Sequence, residues 1–201
     1  MLIKIIYIFV AYLCGAVPFA YIIAKIAGGV DIRTVGSGNP GATNVFRSVG
    51  KGAGIVTFIA DALKGFVPVY FAIMIDNSFS YSVAVSVAAL TGHMFTVFLK
   101  FKGGKGVATG CGIFLALMPM PTAIAFVIFA VVFLASGYVA LGSVCAAIFL
   151  PLVSFFAGYG SDAVIFAFAV ALLIIYKHRA NIKRLKAGTE NRFVIFKRKV
   201  K

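Results

Sequence analysis

The sequence predicts an all-α integral membrane protein, and three observations carry that reading. Apolar runs long enough to cross ~30 Å of hydrocarbon recur throughout the 201 residues. Only 12% of residues are charged, against roughly one quarter in a soluble domain. The 19 Lys and Arg residues outnumber 5 acids, for a formal net charge of +14, and they cluster at few places.

The first apolar run, Ile5 to Ala24, is too long for a signal-peptide core and lacks a small-residue cleavage site, so it reads as a retained span over 3–26. Further helices are expected at 54–75, 81–99, 107–118, 122–135, 138–157 and 162–177. "MPMP" at 118–121 interrupts the stretch 107–135, leaving one kinked span or two short ones of ~20 Å each.

Charge decides between them. Lys100, Lys102 and Lys105 precede the break, ten Lys and Arg residues run from Lys177 to Lys201, and none lies between. The positive-inside rule places both groups in the cytoplasm, so an even number of crossings separates them. Splitting at "MPMP" satisfies that parity. The expectation is seven transmembrane helices, N-terminus outside and C-terminus cytoplasmic.

This arrangement puts Arg33, Arg47 and Lys51 inside and leaves short outer turns at Asp76–Ser80, 118–121 and Gly158–Ser161. With no internal repeat visible, 1–201 reads as one domain, and an alternating-access carrier is disfavoured. Cys14, Cys111 and Cys145 stand singly in apolar segments, as buried small residues do. Trp is absent, so an interfacial aromatic belt would fall to the eight Tyr residues.

Three polar islands fall on the cytoplasmic side: 36–52, 92–106 and 177–192. In the first, the opening segment Ser37-Gly38-Asn39-Pro40-Gly41 can expose several backbone N–H groups. Thr43 is an expected helix N-cap, followed by Asn44, Arg47 and Lys51 on one face. Donors at a helix start beside a guanidinium suit a phosphate, whereas a plain connector would not need Asn39, Thr43 and Asn44 together.

In the second island His93 stands near the inner end of an apolar run. A lone apolar-face histidine is more often structural, but an intramembrane ionisable residue is a functional candidate. Gly103 and Gly104 would let a phosphate approach the backbone, with Lys102 and Lys105 supplying charge. The spacing is not that of a P-loop, because Leu99 stands where its first glycine would be and Gly106 where its Ser or Thr would be.

The third island puts His178, Asn181 and Arg184 on one helical face, with Lys183 and Lys186 on its flank. Its lysines and the terminal "FKRKVK" also suit anionic headgroups. Asp61 and Lys64, i and i+3 in the second long helix, read as a local ion pair that offsets the cost of burying either charge. Five scattered acids and two histidines offer no metal-ligand set, so no metal or cofactor is expected. The residues alone point to a membrane enzyme or carrier acting on phosphorylated lipid precursors.

"SGNPGATNVFRSVGK", "GHMFTVFLKFKGGKGVAT" and "KHRANIKRLKAGTENR" resemble, in order, the three motifs of the bacterial acyl-phosphate:glycerol-3-phosphate acyltransferases, the PlsY family. The resemblance extends over essentially the whole chain. One departure is Thr96, where the family more usually has proline. It implies acyl transfer from acyl phosphate to the 1-hydroxyl of glycerol 3-phosphate, giving lysophosphatidic acid and phosphate at the cytoplasmic face of the bacterial inner membrane. The His-x4-Asp pair of other acyltransferases is absent, since Phe98 and Lys183 stand five residues after His93 and His178.

On this resemblance Ser37, His93 and Asn39 are the expected catalytic residues. Ser37, Gly38, Asn39, Gly41, Thr43, Gly103 and Gly104 would hold acyl phosphate. Arg47, Lys105, His178, Asn181, Asn44, Lys102 and Arg184 would hold glycerol 3-phosphate. His93 would be a general base, or a positioner bonded to Ser37 or a phosphate, with a substrate phosphate oxygen taking the proton. The implied partners are the two substrates and the bilayer, with no nucleic acid, and the chain is expected to act as a monomer. The rival class is a carrier of phosphorylated solutes, which should place polar residues in the outer half as well.

Overall fold

The computed structural model describes residues 1–193; the terminal "FKRKVK" lies outside them. These residues form ten α-helices and no strand: α1 Leu2–Ala16, α2 Phe19–Gly28, α3 Ala42–Ser48, α4 Lys51–Ile75, α5 Phe79–Met94, α6 Val107–Leu117, α7 Pro119–Ser136, α8 Val139–Phe156, α9 Ser161–Lys177 and α10 Arg179–Lys186. They divide into two compact units, Met1–Pro119 and the part beginning at Met120.

Five stretches are long and apolar enough to cross a membrane: Leu2–Gly28, Lys51–Ile75, Phe79–Leu99, Pro119–Ser136 and Val139–Phe156. The pair α9 and α10 passes the same test only if the two helices, bent by 58° to each other, are counted as one span. At 11 residues, α6 rises only ~16 Å and falls short of a full bilayer on its own. The expected break at 118–121 is real: α6 ends at Leu117 and α7 starts at Pro119, where the missing N–H of proline costs nothing.

The helix expected over 3–26 is two helices. Pro18 has a non-helical backbone, φ −89° and ψ 69°, and breaks the run between α1 and α2. The helix expected over 81–99 also stops early, at Met94, and a 3-10 turn over Val97–Leu99 follows. The hydropathy pattern is continuous across both breaks because only the backbone changes course.

In the first unit α4 is the common neighbour of α1, α2, α3, α5 and α6. Side chains are sorted in reverse of a soluble protein: Leu2, Ile26, Phe71 and Met74 are exposed, whereas Ala11, Ala16, Ala24, Ala72 and Ala89 are buried. Lipid already solvates large apolar groups, so close backbone approach between small residues is what holds such helices together. A Cβ at Gly15 would strike the Ala89 carbonyl and one at Gly92 the Tyr12 carbonyl, which fixes α1 against α5. Gly65 and Gly112 do the same for α4 and α6, facing the carbonyls of Thr109 and Ala62.

Some buried hydroxyls bond within their own helix. Thr57 and Ser86 donate to the carbonyls of Ala53 and Ser82, both at 2.7 Å. Inside α4, Pro68 cannot donate to the Lys64 carbonyl, and the Cys14 thiol approaches that oxygen at 3.8 Å. Lys4 pairs with Asp76, tying the start of α1 to the end of α4; the Lys4 ammonium also holds the Asp76 carboxyl below its ordinary range.

Gly112→Ala should therefore destabilise by about 1–3 kcal/mol, because its Cβ meets main chain that cannot yield. Gly52→Ala, with open space around it, should be neutral or stabilising by up to about 1 kcal/mol. Thermal melting of the two variants in detergent checks the contrast.

Candidate active site

The loop between α2 and α3 is shaped by its own hydrogen bonds. Asn44 is buried, and its Nδ2 donates to the carbonyls of Ile32 and Val35, each at 3.0 Å. Its Oδ1 accepts from the Ser37 N–H at 3.0 Å and from the Ser48 hydroxyl at 3.4 Å. Asn44 thus clamps the loop through both ends of its side-chain amide. The N–H groups of Gly38 and Gly41 donate to the carbonyls of Val35 and Asn39, so the expected row of open backbone donors is largely used within the loop.

Two further details differ from expectation. The N-cap of α3 is Gly41, and Thr43 is the second residue of the helix. Gly50, at φ 146°, separates α3 from α4, so Lys51 does not continue the Asn44–Arg47 face. Ser37 and Arg47 remain exposed and Asn39 is half-buried. Arg33 is engaged by Asp31, whose carboxyl that guanidinium pulls down to about 2.

His93 occupies the last turn of α5 and is buried. Gly103 and Gly104 cross that helix end, donating their N–H groups to the carbonyls of Met94 and His93, both at 3.2 Å. Those donors close the end of the helix. Their missing side chains have another purpose. A Cβ on Gly103 would strike the His93 carbonyl, and one on Gly104 would strike His93 Nε2 and lie 3.2 Å from the Pro40 carbonyl. The first two islands therefore meet at the imidazole. Lys105 is half-buried and Lys102 exposed just beyond.

A small cavity under this contact is walled by Pro18, Phe19 and Leu99 on one side and Asp61, Lys64, His93 and Thr96 on the other. Lys64 Nζ lies 2.8 Å from Asp61 Oδ1 and donates at 2.7 Å to the Val17 carbonyl at the break between α1 and α2. His93 Nδ1 lies 3.8 Å from the same Asp61 oxygen. Thr96 is buried, and its hydroxyl donates at 2.6 Å to the Ala16 carbonyl while accepting from the Phe98 N–H at 3.2 Å. Its φ of −67° is one that proline also adopts, so the departure at this position leaves the backbone course unchanged and adds a hydrogen bond.

In the second unit the third island forms its own cluster. His178 caps α9 at the bend into α10 and donates from Nδ1 to the Ile174 carbonyl at 2.8 Å, which leaves Nε2 as its acceptor. Glu190 accepts from Asn181 Nδ2 at 2.8 Å and from Arg184 Nε at 2.7 Å. The carboxylate orients both donors. Arg192 and Phe193 return to the α7–α8 junction, donating to the carbonyls of Ser136 and Gly137.

Within the first unit the structure thus gathers Pro40, His93, Gly103 and Gly104. Sequence reasoning undervalued Asp61, Lys64 and Thr96. The signal available for them was a charged i, i+3 pair in an apolar helix together with a proline inside the first span. No group of three potential metal ligands occurs among the described residues.

Comparison with known proteins adds an independent line. A family model described as glycerol-3-phosphate acyltransferase matches residues 5–188. A glycerol-3-phosphate acyltransferase of Endomicrobium trichonymphae is 66% identical over 199 residues, 99% of this chain and all of that protein. One from Aquifex aeolicus is 45% identical over 91% of this chain and 95% of its own length. Two crystal structures of PlsY (YgiH), an integral membrane glycerol 3-phosphate acyltransferase, superpose on the chain. The glycerol 3-phosphate form gives a TM-score of 0.90 at 42% identity, and the lysophosphatidic acid form 0.88 at 41%. Each covers 94% of this chain and 95% of the other.

Thr96→Pro should keep the fold but lower stability by about 1–3 kcal/mol, because the Ala16 carbonyl loses a buried donor. Asn44→Asp should cost about 2 kcal/mol or more, since a carboxylate would replace the two N–H donors facing carbonyls. Melting temperatures read both.

Proposed function

The chain belongs to the PlsY family of glycerol-3-phosphate acyltransferases, and from that we propose that it transfers a fatty acyl group from acyl phosphate to the 1-hydroxyl of glycerol 3-phosphate. Lysophosphatidic acid and inorganic phosphate are the products. The observation that carries this reading is the meeting of Pro40 and Gly104 at the buried His93 imidazole, with Gly103 against the His93 main chain, in a chain that the family matches almost end to end.

Acyl phosphate is a mixed anhydride and is already activated. The 1-hydroxyl oxygen attacks the acyl carbon, the new ester bond forms, and the bond from that carbon to the phosphate oxygen breaks. The hydroxyl proton passes to His93 Nε2 or to the departing phosphate. The protein has to bring two phosphates together, orient the hydroxyl and stabilise the oxyanion. In this scheme Ser37 and Asn39 contact acyl phosphate through side chains, with Gly38, Gly41 and Thr43 shaping the loop. Arg47, Lys102, Lys105, His178, Asn181 and Arg184 hold glycerol 3-phosphate, and Gly103 and Gly104 serve as the surface on which His93 rests.

The same reading treats 1–201 as one catalytic domain, because a single family model runs through both units. It has seven membrane segments counting the short α6, the N-terminus outside, the site and C-terminus on the cytoplasmic face of the inner membrane, and a monomer as the working unit. The basic residues just before Val107 and those from Lys177 onward, with none between, support that orientation.

Detergent-purified protein should release phosphate only when acyl phosphate and glycerol 3-phosphate are both present; solute uptake into vesicles without phosphate release would identify a carrier instead. His93→Ala should lower kcat by about a hundredfold or more with an unchanged melting temperature, and near-normal turnover removes any direct role. Arg47→Ala and Lys105→Ala should each raise KM for glycerol 3-phosphate by about tenfold; silence in both would indicate a lipid-binding structural protein.

A further inference from the structure

The buried Asp61–Lys64 pair does more than neutralise itself. Ion pairs inside a membrane protein usually satisfy each other, yet here each partner reaches a third group. Lys64 holds the Val17 carbonyl at 2.7 Å, and Asp61 Oδ1 faces both Lys64 Nζ at 2.8 Å and His93 Nδ1 at 3.8 Å. The opposite edge of the imidazole, Nε2, looks toward Gly104, where any side chain would collide with it. The ring is therefore placed between a carboxylate and the strip of bare backbone that joins the two motifs.

We infer that Asp61 is a positioning residue for His93: held in place by Lys64, its carboxylate keeps the ring proton on Nδ1 and turns Nε2 toward the substrates. The physical basis is electrostatic. A carboxylate facing one ring nitrogen favours the tautomer protonated there, so the other nitrogen becomes the acceptor. That atom could then accept from the attacking hydroxyl or from Ser37, so the inference serves either role of His93. It rests on the acyltransferase reading for its kinetic consequence, but the geometry of the ring can be tested without turnover.

The chain has only two histidines, which makes nitrogen NMR of histidine-labelled protein direct. In the wild type at pH 8, His93 should give a single neutral tautomer with the proton on Nδ1; any other state of the ring overturns the inference. Asp61→Asn should disturb that tautomer and leave the His178 signals in place. Thr96→Val loosens the same cavity wall without facing the imidazole, and it should leave the His93 tautomer intact. Equal disturbance by both substitutions would mean Asp61 acts only through general packing, against the inference. In turnover, Asp61→Asn should lower kcat by about tenfold or more, with KM for glycerol 3-phosphate within about twofold. An unchanged kcat overturns the positioning role. If the wild type does not turn over these substrates, the acyltransferase reading fails, while the NMR result still decides the Asp61–His93 relation. An Asp61→Asn chain that does not fold leaves the wild-type tautomer as the deciding measurement.

Discussion

Two carbonyl groups released by a proline hold the first unit to its present form. The break at Val17–Pro18 takes the oxygens of Ala16 and Val17 out of the helical ladder, within a segment that otherwise faces lipid. An unsatisfied carbonyl in hydrocarbon costs several kcal/mol, so such a break persists only where other elements supply donors. Thr96 supplies one from the turn after α5, and the Val17 oxygen, which accepts the Phe19 N–H at 3.1 Å, gains a second donor from Lys64 of α4. Lys64 pairs there with Asp61, and Asp61 brings the pair beside His93. A local backbone fault thereby fastens three helices at the level of the site.

Small residues complete that fastening. Gly15 and Gly92 bring α1 and α5 to backbone contact, and Gly65 and Gly112 bring α4 and α6 together. Such packing leaves little freedom to the walls of the cavity, which suits a site that must hold a hydroxyl and an acyl carbon in line. Large side chains would not improve it, because in lipid their burial gains little.

The glycine-rich motifs have a different physical use from the one their composition suggests. In both, main-chain N–H groups are taken up within the fold: Ser37 by Asn44, Gly38 by Val35, Gly103 by Met94 and Gly104 by His93. In the proposed reaction, anion recognition falls to side chains on the loop rims, Ser37, Asn39, Arg47 and Lys105. The glycines are needed because carbonyl groups and an imidazole occupy the space a Cβ would fill. In the second unit the Glu190 carboxylate plays the corresponding organising part for Asn181 and Arg184.

The sequence by itself determined the helical membrane class, the break at "MPMP", the polar islands and the family, because hydropathy, charge placement and long ordered motifs are written in residue order. It located His93 and the third cluster of His178, Asn181 and Arg184 as candidates. It did not reveal that Asn44 is a clamp, that Gly103 and Gly104 spend their amides closing α5, or that one continuous apolar run is broken at Pro18. Hydropathy is blind to such backbone turns, and a hydrogen-bonding side chain has the same letters whether it meets a ligand or its own main chain. Only the tertiary structure decided that Asp61, Lys64 and Thr96 belong beside His93. Their contacts bridge dozens of residues, and it is the need to satisfy two buried carbonyls that brings them there.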